Sequence, residues 1–171
     1  MSYFPSVIAC PDGTGFTGRQ VHSAGTPAYV TALLTQLYRR PFNRDVNAMQ
    51  AFFIDRHPGG WSQLGNDPAA DTRWSDAEPF REGFICYCHG DRHEAFAPFT
   101  QDSDATFVDW LYVISADGID VSRADWGDDE ELDDGAAPTW QYLGRIGWDD
   151  TSRQRAELLA TVRAASCGVQ A

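Results

Sequence analysis

The sequence has no lysine. All 13 of its basic residues are arginines, they face 25 acidic residues, and the formal net charge is −12. Without lysine the chain has neither a Schiff-base residue nor a lysine general base, and a cationic site must use arginine. So acidic a chain repels nucleic-acid phosphates, which argues against direct DNA or RNA binding. We therefore expect a partner protein with a basic surface.

Long apolar runs and a signal-like leader are missing too. The chain begins Met-Ser-Tyr-Phe-Pro, and no later stretch approaches the length of a membrane-spanning helix. We expect a cytoplasmic protein that does not contact a membrane. In that compartment cysteines are thiols or metal ligands rather than a disulfide framework. The chain has four: Cys10, Cys86, Cys88 and Cys167.

The chain is long enough, at 171 residues with 43% hydrophobic content, to bury the core of one domain. Apolar spacing predicts helices over 27–40 and 43–56, and a C-terminal helix within 149–171. Short strand-like runs bounded by turn residues predict strands over 5–10, 18–22, 107–115, 119–122 and 140–146, and alternation predicts strands within 84–96, whereas 61–83 is predicted as loop. This order predicts a single α+β domain over 1–171, a mostly antiparallel β-sheet with about three helices on one face.

The segment 84–96 carries the most chemistry. It alternates around Gly90-Asp91, a pair suited to a two-residue turn, which predicts a β-hairpin. Side chains in a strand alternate between faces, so each hairpin face collects its own set. One face would hold Cys86, Cys88 and His93, and the other Tyr87, His89, Arg92 and Glu94.

The first face has the ligands of a soft metal. Zinc takes four nitrogen or sulfur ligands in a tetrahedron, so Cys86, Cys88 and His93 would need a fourth ligand. The candidates for it are Cys10, His22 and His89. A C-x-C pair departs from the usual C-x2-C knuckle, and the alternative is that both thiols are core residues. We therefore expect no cofactor, with zinc as the alternative.

The same face also permits a catalytic thiol. Cys88 directly opposite His93 would place a sulfur within hydrogen-bonding distance of an imidazole, as in a cysteine nucleophile. The sequence shows no third orienting group for such a pair. The alternative is again a buried thiol beside a structural histidine.

Four short motifs occur in an order that resembles a known group of proteins. They are His22-Ser-Ala-Gly-Thr-Pro27, Trp61-Ser-Gln-Leu-Gly65, Tyr87-Cys-His-Gly-Asp-Arg-His-Glu94 and Trp110-Leu-Tyr-Val-Ile114. Uncharacterised small proteins of phages, plasmids and other mobile elements have an H-W-D-G-Y-P-like segment, an S-S-L-G segment, a Y-x-R-D-R-G-E-like element and an aromatic strand. The resemblance covers about residues 5–122 and implies a mobile-element setting rather than a chemistry.

The matched positions also form a polar set. His22, Asp91, Arg92 and Glu94, with Tyr87 beside them, offer a base, an anion-binding group and carboxylates for a small hydrolase or metal-dependent enzyme. The chain departs from the family pattern at Ser23 and Ala24, at Gly90 and at His93. The alternative is a turn whose polar side chains satisfy the backbone.

An acidic run lies between the last two predicted strands. It carries Trp126, Asp128, Asp129, Glu130, Glu131, Asp133 and Asp134. The frame of a calcium-binding EF-hand loop is missing, so a solvated, mobile loop over 124–138 is the expectation. Spaced carboxylates can also imitate nucleic-acid phosphates, and the embedded tryptophan favours docking on a basic partner.

Charge, acidic run and resemblance together favour a non-enzymatic, acidic cytoplasmic interaction or accessory protein. It would be of phage or mobile-element type, a counter-defence inhibitor that binds a basic protein surface. The alternative is a small hydrolase or metal-dependent enzyme that uses His22, Asp91, Arg92 and Glu94.

Overall fold

The computed structural model describes residues 5–65, 84–89, 93–103, 107–125, 137–150 and 152–167. These residues form an eight-stranded sheet and three α-helices. Two strand pairs, β1–β6 and β2–β3, are parallel, and the other pairs are antiparallel. The predicted α+β fold with a mostly antiparallel sheet is confirmed.

The sheet has the strand order β4-β3-β2-β1-β6-β7-β8, and β5 pairs with β2 beside this path. The strands are β1 (Ser6–Asp12), β2 (Gly15–Ser23), β3 (Trp61–Leu64), β4 (Phe84–Cys86), β5 (Phe99–Thr100), β6 (Trp110–Ser115), β7 (Gly118–Asp125) and β8 (Thr139–Ile146). The short strands β3 and β4 form one edge, and the functional site lies there.

The first helix, α1 (Pro27–Arg39), begins where the sequence predicts. The Thr26 hydroxyl accepts a hydrogen bond from the Tyr29 backbone N–H, and proline occupies the first turn. Its buried side chains recur every three or four residues, so one face packs against the sheet.

The second helical segment begins later than predicted. Asn43 and Arg44 have φ angles of 49° and 68°, which a helix does not allow, and Asp45 caps α2 (Val46–Gln50) through the Ala48 N–H. The segment continues as a π-helical turn, Ala51–Asp55, which buries Phe52, Phe53 and Ile54. The C-terminal helix, α3 (Ser152–Cys167), lies within the predicted range 149–171.

Side chains alternate between two cores along β1. Ile8 belongs to the large core, which also contains buried residues of α1, of the π-helical turn and of α3. Val7 and Ala9 belong to a smaller cluster with Phe16, Phe99 and other residues of the sheet. Because neighbouring residues of a strand point to opposite faces, the helices lie on one face of the sheet, as predicted.

The region from 61 to 96 differs from the prediction. Trp61–Leu64 is a strand where a loop was expected, and the predicted hairpin over 84–96 is wrong because β4 ends at Cys86. Beyond Cys86 the backbone bonds to a turn instead: the Tyr87 N–H donates to the Gly60 carbonyl, and the Phe96 N–H donates to the Pro58 carbonyl. One predicted pairing remains, a hydrogen bond from the Glu94 N–H to the Tyr87 carbonyl.

None of the described helices is long and apolar enough to cross a membrane. The acidic run predicted as a loop over 124–138 falls mostly outside the described residues. β7 ends at Asp125 and β8 begins at Thr139.

Candidate metal centre

Four sulfur and nitrogen ligands converge beside the β3–β4 edge. One ligand atom from each of His57, Cys86, Cys88 and His89 lies within 4.8 Å of the other three. The Cys86 sulfur is 3.1 Å from Nδ1 of His89. The Cys88 sulfur is 3.3 Å from the same nitrogen and 3.6 Å from Nδ1 of His57. This group is called the Cys2His2 cluster below.

His57 is held by aromatic packing at the end of the π-helical turn. Its ring centroid lies 4.2 Å from that of Trp61 and 4.9 Å from that of Phe52, and the residue is 2% exposed. Trp61 is fixed in turn by a hydrogen bond of 3.0 Å from its indole N–H to the Phe53 carbonyl. The turn thus fixes the position of the imidazole.

Strand β4 and the bend that follows it supply the other three ligands. Cys86 pairs with Trp61 across the β3–β4 ladder and is buried. Cys88 and His89 follow in the bend and are half-buried. The cluster therefore joins two segments that are distant in the sequence.

The two segments touch at Gly59. A Cβ atom there would lie 2.5 Å from the Glu94 carbonyl oxygen and 2.8 Å from the Cys88 backbone nitrogen. Both neighbours are backbone atoms, so no side-chain rotation would relieve the clash. The absence of a side chain at Gly59 lets the turn carrying His57 approach the ligands that follow β4.

Burial favours the neutral form of two of the metal-free ligands, His57 and Cys86. Burial, with smaller contributions from His89 and Arg56, lowers the pKa of His57 from 6.5 to about 4. Burial, with a hydrogen bond to Cys88, raises the pKa of the Cys86 thiol. At neutral pH the His57 imidazole is unprotonated and able to donate a lone pair to a metal, while Cys86 must lose its proton when a metal binds.

Three of the sulfur–nitrogen distances are close to those around a tetrahedral zinc ion. Zinc–sulfur bonds of about 2.3 Å and zinc–nitrogen bonds of about 2.0–2.1 Å at tetrahedral angles place sulfur roughly 3.5 Å from nitrogen. The Cys86–His89, Cys88–His89 and Cys88–His57 distances are 3.1, 3.3 and 3.6 Å, and all four ligand atoms lie within 4.8 Å of one another. Two thiols and two imidazoles form one of the common structural zinc sets.

The ligand set differs from the predicted one. Cys86 and Cys88 are both in the cluster, but His93, the predicted third ligand, is exposed, has a φ angle of 50° and lies outside it. Of the three candidates for a fourth ligand, His89 belongs to the cluster, whereas Cys10 and His22 do not. The predicted Cys88–His93 pair is likewise replaced, because the imidazoles at the Cys88 sulfur are those of His57 and His89.

His57 has no counterpart in the sequence-based prediction. The available signal was that it follows the apolar run Ala51–Ile54 and precedes Pro58-Gly59-Gly60. That context marks a helix end, and only the packing against Trp61 shows where the imidazole points.

A cavity of about 260 Å³ lies beside the cluster and collects part of the predicted polar set. His22, Tyr87 and Glu94 line it, together with Arg19. The guanidinium of Arg19 donates hydrogen bonds to the carbonyls of Ile54, Pro58 and Phe96. The other predicted members of the set, Asp91 and Arg92, lie outside the described residues.

The predicted partner-binding residues also lie outside the described residues. They are Trp126, Asp128, Asp129, Glu130, Glu131, Asp133 and Asp134. Their role as a docking surface stays a prediction.

Comparison with models of protein families, with curated proteins and with solved structures finds no match for this chain. The resemblance to mobile-element proteins therefore stays an expectation.

Proposed function

We propose that this chain is a zinc-binding protein whose Cys2His2 cluster holds a structural ion. The observation that supports this most strongly is the convergence of His57, Cys86, Cys88 and His89, whose ligand atoms lie within 4.8 Å of one another. Thiolate and imidazole ligands favour zinc over magnesium or calcium, which prefer oxygen ligands.

The ligand count favours a structural ion. Catalytic zinc sites use three protein ligands and leave a fourth position for water or substrate, whereas structural sites are closed by four. The cluster offers four, and His57 and Cys86 are both 2% exposed. An ion bound by all four would cross-link the π-helical turn to strand β4, so its binding energy would stabilise this edge of the fold.

A nucleophilic role fits the Cys86 thiol less well. An activated thiol has a lowered pKa, because the thiolate is the reactive species. Burial instead raises the pKa of Cys86, and the low pKa of His57 prevents it from supplying an imidazolium at neutral pH. Neutral donors in a buried position are better suited to receiving a metal cation.

Elemental analysis of protein purified without a chelator or a histidine tag tests the proposal. One equivalent of zinc is expected in the unmodified chain, and much less in the double variant Cys86→Ser, Cys88→Ser. Cys10→Ser is the matched control, because Cys10 is a half-buried thiol outside the cluster and its variant should keep the ion. Folded protein that takes up no zinc, even after zinc is added, would contradict the proposal.

Capture of a basic partner is a second proposal, supported by the net charge of −12 and by the acidic run with its embedded Trp126. Replacing the carboxylates across 128–134 by their amides should abolish pull-down of a partner by the immobilised protein. Unchanged capture would remove this proposal and leave the zinc proposal untouched.

A further inference from the structure

The cavity beside the Cys2His2 cluster has a chemistry of its own. Tyr87 lies between two cluster ligands in sequence, and it lines the cavity together with Glu94 and Phe96. The cavity is thus built on the segment that carries the cluster. It is defined below as the Glu94 pocket.

The backbone of the Glu94 pocket is held from several sides. The Glu94 N–H donates to the Tyr87 carbonyl at 2.9 Å, and the Phe96 N–H donates to the Pro58 carbonyl at 3.0 Å. Arg19 bridges the same walls, since one terminal guanidinium nitrogen donates to Pro58 at 3.1 Å and to Phe96 at 2.8 Å. A cavity whose walls are bonded to each other is preorganised for a ligand.

The two charged side chains that line the pocket, Arg19 and Glu94, differ in their hydrogen-bond partners. The Arg19 guanidinium keeps its positive charge, but its N–H groups donate to three backbone carbonyls, which hold it against the wall of the pocket. Within the described part of the chain, the Glu94 carboxylate has no hydrogen-bond or ion-pair partner. His22 also lines the pocket and is exposed. Glu94 is thus the charged side chain of the pocket that has no partner among the described residues, and the net charge of −12 attracts cations to this surface.

Aromatic side chains accompany this carboxylate. Phe96 is 58% exposed, an unusual exposure for a large apolar side chain, and Tyr87 is half-buried. An aromatic ring face attracts a cation, and quaternary ammonium groups are recognised by aromatic rings in this way. Glu94, which lines the same cavity, supplies the opposite charge.

We propose that the Glu94 pocket binds a small organic cation, of the substituted-ammonium class. Glu94 contributes the counter-charge, and Phe96 and Tyr87 contribute aromatic surface. This site goes beyond the zinc proposal, since none of these three residues is a cluster ligand.

Calorimetric titration of the zinc-loaded protein with tetramethylammonium chloride tests the pocket. Measurements at pH 8 keep imidazole groups neutral, and sodium chloride and sodium acetate serve as ionic controls. Saturable binding of tetramethylammonium is expected, without saturable binding of sodium or acetate. No saturable binding, or binding of acetate instead, would overturn the proposal.

Two pairs of matched variants locate the site. Glu94→Gln and Phe96→Ala should each weaken tetramethylammonium binding about threefold to tenfold, the range of a partly exposed cation–π or charge contact. Glu157→Gln removes the same charge from α3, and Phe107→Ala removes another exposed phenylalanine ring, so both should bind as the unmodified chain does. Equal affinities in all four variants would contradict the assignment.

Zinc content is measured in the same variants. If Glu94→Gln protein keeps its full zinc content and its tetramethylammonium affinity is unchanged, the pocket proposal is contradicted and the zinc proposal stands. If the unmodified chain binds tetramethylammonium but no zinc, the zinc proposal is contradicted and the pocket proposal stands.

Discussion

The Cys88 sulfur lies 3.6 Å from Nδ1 of His57, although the two residues belong to segments separated by strand β3 and by residues 66–83. A contact between a thiol and an imidazole from distant segments requires both segments to be held in place. Trp61 packs on the His57 ring, and its strand pairs with β4. A bound metal ion would link the segment that carries His57 directly to the segment that carries Cys88.

Zinc should stabilise the chain measurably. At a free-zinc concentration of about 1,000 times Kd, selective binding to the folded state contributes about 4 kcal/mol. For a chain of this size that corresponds to a rise in Tm of roughly 8–16 °C. Thermal unfolding of chelator-treated protein, with and without added zinc, measures the shift. A Tm that zinc raises equally in Cys86→Ser, Cys88→Ser protein would place the binding elsewhere.

Two histidine variants distinguish the observed ligand set from the predicted one. His89→Asn removes a cluster ligand and should weaken zinc binding by more than about 100-fold, beyond the usual cost of losing a residue that only supports a ligand. His93→Asn changes an exposed side chain outside the cluster, so its zinc affinity should stay within about twofold of that of the unmodified chain. Competition with a chromophoric chelator gives both affinities. The opposite ranking would restore the ligand set predicted from the hairpin.

Gly59→Ala should weaken the cluster without altering a ligand. The added methyl group would meet the Cys88 backbone nitrogen at 2.8 Å and the Glu94 carbonyl at 2.5 Å, so the two ligand-bearing segments must separate. We expect zinc affinity to fall at least about tenfold, which is the usual effect of losing a contact that supports a metal ligand. Gly13→Ala is the control: its methyl group meets nothing within 4 Å, and it should cost only about 1–2 kcal/mol of left-handed backbone strain. Equal zinc affinities in the two variants would show that the close approach is not needed.

The metal-free protein should lose stability in mild acid because of His57. Its pKa falls from 6.5 to about 4 on folding, so between these values the unfolded chain binds the proton and the folded chain does not. Stability from this group is full above about pH 6.5 and is lost as the pH falls towards 4; the loss is about 2 kcal/mol between pH 7.5 and 5.

An NMR titration of the histidine ring protons checks this directly. The His57 signal should remain that of a neutral imidazole at pH 5.5. Protonation of His57 near pH 6.5 would show that the ring is not held in a desolvated position.

Local patterns predicted much of this fold, and packing decided the rest. The Thr26-Pro27 start of α1 and the run of aromatic, apolar and β-branched residues in β6 are signals within one element, and both elements form. Strand β3 is only four residues long, and its stability comes from partners on both sides, so its own residues gave no sufficient signal.

The candidate site shows the same difference between what local sequence patterns predict and what tertiary packing decides. Cys86 and Cys88 were predicted as ligands from their proximity in the sequence. His57 was missed, because a distant histidine joins a cluster only through tertiary packing. His93 was misplaced, because the hairpin prediction assumed that β4 continues beyond Cys86, whereas the chain bonds to the turn at Pro58–Gly60 instead.

X-ray absorption spectroscopy at the zinc edge tests the central proposal most directly. The Cys2His2 cluster predicts a four-coordinate ion with two sulfur ligands at about 2.3 Å and two nitrogen ligands at about 2.0–2.1 Å. A bound zinc surrounded only by oxygen and nitrogen, or by a single sulfur, would contradict the assignment of Cys86 and Cys88 as paired ligands.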